Sequence, residues 1–66
     1  MKTKYDWSVV PSWVNWIAMD STFEIFGFED VPIAFDDYSW CSNVFVELDL
    51  HTPNCNWKDS LEERPK

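Results

Sequence analysis

Sixty-six residues leave room for one small domain, 1–66, which on folding hides only about 60% of the surface its unfolded chain exposes. Five Trp, five Phe and two Tyr rule out an acidic disordered tail. Twelve Asp and Glu against five Lys and Arg give a net charge of −7, which argues against direct binding of DNA, RNA or an anionic membrane.

At the start, Met1-Lys2-Thr3-Lys4 leads into Tyr5-Asp6-Trp7 and not into the apolar run of a signal peptide. No apolar run approaches the ~20 residues that span a bilayer. A cytosolic setting without membrane contact is therefore expected, with Cys41 and Cys55 as thiols. A bridge between them is the alternative and would stabilise the fold by about 3 kcal/mol.

Asp6-Trp7-Ser8 and Pro11 predict a turn that leads into the first strand. Residues 13–20 alternate as a strand, with Trp16 and Ala18 on one face and Trp13, Ile17 and Met19 on the other. Ser21-Thr22 is a short connection without the Gly or Asn that a tight hairpin prefers. Residues 23–28 form a second strand, Phe23 and Ile25 opposed to Glu24, Phe26 and Phe28, and Pro32 ends the pairing. Residues 33–43 read as a long connection with room for a short strand or 3-10 turn around 36–38. Residues 44–50 are the clearest strand: Val44, Val46, Leu48 and Leu50 point one way, Phe45, Glu47 and Asp49 the other.

The period then changes. Thr52-Pro53 has the form of a helix N-cap with Pro at the first helical position, and Trp57 and Leu61, four apart, would share a face before Pro65. A shorter turn starting at Asp59 or Ser60 competes with it. The expected fold is α+β: a small antiparallel sheet of three or four strands with a short C-terminal helix laid on one face. Trp57 and Leu61 are expected to dock on the sheet, and Arg64 to pair with a carboxylate.

Catalytic and metal patterns do not assemble. His51, with Cys41 ten residues before it and Cys55 four after, matches no zinc finger or ribbon. Cys41 and His51 as nucleophile and base would need a substrate cleft that a fold this small has little room for. From Asp20, a calcium loop would need Gly at position six and Glu at twelve, where this chain has Ile25 and Val31. Adjacent acids such as Asp36-Asp37 are usually only solvated. No cofactor, metal or enzymatic activity is expected.

Several segments together resemble a group of small, acidic, Trp-rich bacteriophage proteins. They are the opening Asp6-Trp7-Ser8-x-Val10-Pro11-x-Trp13-x-x-Trp16-Ile17-Ala18-x-Asp20, then Gly27-Phe28-Glu29 with Pro32 and Trp40 beyond it. The ending Trp57-Lys58-Asp59-Ser60-Leu61-x-x-Arg64-Pro65 completes the pattern. This chain departs from it at Ser21-Thr22, where the group often carries an Asp-Gly turn. The resemblance implies a phage or prophage setting and action in the cytoplasm of an infected bacterium. It implies no particular activity.

Charge placement is the strongest functional signal. Segment 21–50 holds Glu24, Glu29, Asp30, Asp36, Asp37, Glu47 and Asp49 with no Lys or Arg, so the whole net charge lies there. Glu47 and Asp49, two apart on one strand face, are about 6.8 Å from each other. Such a row could meet a basic groove as a phosphate backbone does. The first expectation is therefore an inhibitory binder whose acidic, nucleic-acid-mimicking face blocks a host or bacterial-defence protein with a basic surface. Asp36, Asp37, Glu47 and Asp49 are its main contacts, and Glu29 and Asp30 a third cluster. Simple solubility is the plainer explanation, because a net charge of magnitude about 2–8 is ordinary for a small domain. The second expectation is an adaptor that binds a protein, or itself as a homodimer, through exposed aromatics. Phe26 and Phe28 are the candidates there.

Overall fold

The computed structural model describes residues 3–35 and 39–66. Asp6 caps a 3-10 turn at Trp7–Val9 and accepts a hydrogen bond from the Ser8 amide, forming the expected lead-in. The strands are β1 (Trp16–Met19), β2 (Ile25–Phe28), β3 (Ile33–Phe35), β4 (Ser39–Cys41), β5 (Phe45–Leu48) and β6 (Glu62–Glu63). One antiparallel sheet has the order β5-β2-β1-β6, and β3 and β4 form a separate two-stranded sheet. The connection expected over 33–43 is thus mostly strand. Its 36–38 portion, with Asp36 and Asp37, lies outside the described residues.

Register follows from the alternation. Ile17 faces Gly27, Met19 faces Ile25, and Ile25 and Gly27 face Leu48 and Val46. These positions share one face of the sheet. Tyr5, Val10 and Val14 fold over it, and Ile17, Met19 and Ile25 complete the buried core. Val46, Leu48, Leu50 and Trp57 pack on its margin. Val44 belongs to the same alternating set but is 45% exposed, at the end of the ladder where its carbonyl accepts from the Glu29 amide.

Gly27 is where the layers approach most closely. An ideal Cβ built there would lie 2.7 Å from Val14 Cγ1 and 3.0 Å from Leu48 Cδ1. Its φ is not positive, so the requirement is space and not backbone freedom. The β1–β2 turn solves its missing glycine differently. Phe23 donates to the Asp20 carbonyl at 2.9 Å and itself takes a φ of 70°, the left-handed region a Gly would occupy at less cost.

The C-terminal helix is not formed, so the α+β expectation is corrected to sheets with two short 3-10 turns. Asn56, and not Thr52, caps a 3-10 turn at Trp57–Asp59, and the chain then extends into β6. β6 pairs Glu62 with Ile17 and Glu63 with Trp16. A helix there would have left the outer N–H and C=O groups of β1 without these partners. Ser60, completely buried, fixes the switch: its hydroxyl accepts from the Met19 amide at 2.8 Å and lies within reach of the Met19 and Trp57 carbonyls. Tyr5 donates its phenol proton to the Ser60 carbonyl at 2.7 Å.

Trp57 packs against the core as expected, and Leu61 is half-buried. The partner expected for Arg64 is corrected. Its guanidinium donates to the carbonyls of Val14 and Pro11, both at 2.7 Å, and lies 4.9 Å above the Trp7 ring. Two oriented carbonyls suit the guanidinium fork and tie the tail to the segment that covers the core. The carboxylate nearby, Glu62, instead accepts from the Lys4 amide and the Trp7 indole.

Candidate partner-binding face

The opposite face of the sheet carries Trp16, Ala18, Phe26, Phe28, Phe45 and Glu47, by the same alternation. The β3–β4 hairpin stands beside it. Asp20 anchors the hairpin by accepting the Trp40 amide at 3.0 Å, and the Trp40 indole donates to the Trp57 carbonyl at 3.2 Å. Burial raises the Asp20 carboxyl above its ordinary range, and the hydrogen bond from Trp40 offsets part of that effect.

Between hairpin and sheet runs a largely apolar groove of about 180 Å³, lined by Phe26, Phe28, Phe35, Trp40 and Phe45 among others. The Phe45 ring meets Phe26 edge-on at 6.0 Å and Phe28 at 6.5 Å between centroids. Phe45 is 60% exposed and Phe35 54%. Phe26 is half-buried. Phe28 is only 1% exposed, which corrects the expectation of an exposed contact: it forms the groove floor beneath Phe45.

A second, open groove of about 430 Å³ lies at the far end of the β2–β5 ladder. Phe23, Glu24, Glu47, Asp49 and Leu50 line it together with Ile25 and Leu48. Glu47 and Asp49 are exposed and converge here with Glu24. Glu29 and Asp30 are exposed at the other end of β2 and do not line this groove. The cations Arg64 and Lys58 are engaged elsewhere, on the Val14 and Pro11 carbonyls and over the Trp57 ring.

Sequence reasoning did not single out Phe35, Trp40 and Phe45 as parts of the apolar groove. Phe45 was legible as the outward partner of Glu47 on an alternating strand. Phe35 was not, because its strand lay inside an expected connection.

Among the described residues no group of three or more His, Cys, Asp or Glu could hold a metal, and no helix is long and apolar enough to cross a membrane. Cys41 and Cys55 are free thiols. Comparison with protein-family models, curated proteins and solved structures found no match.

Proposed function

We propose that the protein is a non-enzymatic binding module that occupies a basic surface of a protein partner, and so blocks it, in the cytoplasm of a phage-infected bacterium. The observation that carries this is the convergence of Glu24, Glu47 and Asp49 on one open groove in a segment without Lys or Arg. Carboxylates gathered without a cation repel one another, and a basic partner relieves that repulsion. The phage setting rests on the resemblance described above. On this reading the partner is a host or defence protein whose basic site otherwise meets a nucleic-acid backbone.

A second reading is favoured by Phe35 and Phe45, each more than half exposed beside an apolar groove. An adaptor would use that groove as its main contact, with the acids as a polar rim. Salt separates the two. Capture from nuclease-treated bacterial lysate, followed by titration of the purified partner, should show affinity falling steeply with ionic strength for the acidic binder. Affinity that is flat with salt and lost on Phe45→Ser would establish the adaptor instead.

A further inference from the structure

Strand β5 is an edge of the four-stranded sheet, and among the described residues no strand lies on its outer side. Which of its backbone groups face outward follows from two bonds. Glu29 donates to the Val44 carbonyl, and Asp20 donates to the Glu24 carbonyl. Residues of an antiparallel strand direct both backbone groups to alternate sides. Glu24, Phe26 and Phe28 therefore bond toward β1, while Ile25, Gly27 and Glu29 bond toward β5. Their partners are Leu48 and Val46 on β5 and Val44 just before it. The N–H and C=O groups of Phe45 and Glu47 consequently point away from the sheet. Among the described residues no other hydrogen bond engages them.

Their side chains define what can pair there. Phe45 and Glu47 share the aromatic face, and Asp49 lies two residues beyond Glu47, just past the end of β5. A second copy of the chain is a poor occupant. Antiparallel pairing about Glu47 would set Glu47 against itself, pairing about Val46 would set each Phe45 against the other copy's Glu47, and pairing about Phe45 would set each Glu47 against Asn43, so none of these registers gives the acids a cation. Each copy would also bring seven further net negative charges. Charged edge residues exclude self-pairing in this way. The same charges favour a strand that carries Lys or Arg at alternate positions, whose heads reach Glu47 and Asp49 while its backbone completes the edge.

We propose that the free edge of β5 receives an extended basic segment of the partner as a fifth strand, paired through the outward backbone groups of Phe45 and Glu47. This rests on the reading of the acidic face as a site for a basic protein, and adds the geometry by which the partner is held.

A fluorescent peptide of alternating Lys and Val, titrated into the intact protein, tests it. The peptide should bind, slow exchange of the Phe45 and Glu47 amide protons, and lose affinity about ten-fold against Glu47→Lys, as one attractive cross-strand pair becomes repulsive. Methylating one alternating set of its backbone nitrogens should abolish binding, and methylating the other set should leave it intact. Equal binding by both methylated peptides would overturn strand addition while leaving the acidic-surface reading in place. Equal binding by an alternating Glu-Val peptide would overturn the charge selection. A dimer by sedimentation that protects the Phe45 and Glu47 amides from exchange, and that the Lys-Val peptide does not dissociate, would assign the edge to a second copy and overturn the proposal.

Discussion

Phe26 and Glu47 stand directly opposite each other on the β2–β5 ladder, at a position where the two backbones exchange no hydrogen bond. Side chains at such positions are the closer kind of cross-strand neighbour, with Cα atoms about 4.5 Å apart. The aromatic and acidic features, which in the sequence point to two different kinds of binder, therefore meet on one strip of surface.

Gly27→Ala should destabilise the fold by about 1–3 kcal/mol, the usual cost of forcing extra volume into a packed core. The added methyl would meet Val14, which is completely buried and branched at Cβ, and so cannot swing aside cheaply. Urea unfolding of the two proteins measures the difference. An unchanged midpoint would mean that the segment covering the core is looser than described.

Ser60→Ala should cost about 1–3 kcal/mol, because the Met19 amide at the end of β1 is left buried without its acceptor. Ser60→Thr, which keeps the hydroxyl, should instead report crowding alone. Hydrogen exchange at Met19 is the local check: its amide should lose protection in the Ala variant by more than the global change in stability. Equal losses at Met19 and throughout β1 and β2 would show that the hydroxyl has no local role.

Tyr5 couples stability to alkaline pH. Burial raises its phenol well above the ordinary value of 10.0, and only the neutral form can donate to the Ser60 carbonyl. The folded value exceeds the unfolded one, so this contribution is complete below pH 10 and is lost as pH rises above it. The limiting loss is about 1.4 kcal/mol per pH unit. Tyr5→Phe should be less stable at pH 7 by about 1 kcal/mol, and should lack that part of the alkaline decline. Parallel declines for both proteins between pH 9 and pH 11 would exclude Tyr5 as the cause.

Alternation made the central strands and their faces legible from residues alone. Ile17, Met19, Ile25, Val46 and Leu48 fall on the core side as their spacing requires. The tail was not legible, since the four-residue spacing of Trp57 and Leu61 describes a helix as well as it describes a turn followed by a strand. What decides between them is the open side of β1, whose Met19 is 41 residues from Ser60 in sequence, together with the buried Ser60 hydroxyl. Of the candidate contacts, Glu47 and Asp49 were legible because charge and period coincide. Phe28 was misjudged because period-2 alternation shows which face a side chain occupies, and not whether a neighbour such as Phe45 covers it.

Phe23→Gly should raise stability by about 0.5–1 kcal/mol. The left-handed backbone costs a side-chain-bearing residue roughly 1–2 kcal/mol, and the greater freedom of Gly in the unfolded chain returns only part of that gain. The ring it removes is 68% exposed, so little packing is lost. Thermal unfolding should show the rise. A fall in the midpoint would mean that the ring makes contacts that outweigh the strain.

Binding of the purified partner to the wild-type protein and to a Glu47→Lys, Asp49→Lys double variant, each at low and high salt, tests the central claim most directly. Both residues are exposed, so the variant should melt close to the wild type, within about 0.5 kcal/mol per site. The acidic-surface account predicts that the wild type binds tightly at low salt and weakens steeply as salt rises, and that the variant fails to bind at either concentration. A folded double variant that binds as tightly as the wild type, with the same dependence on salt, would contradict it.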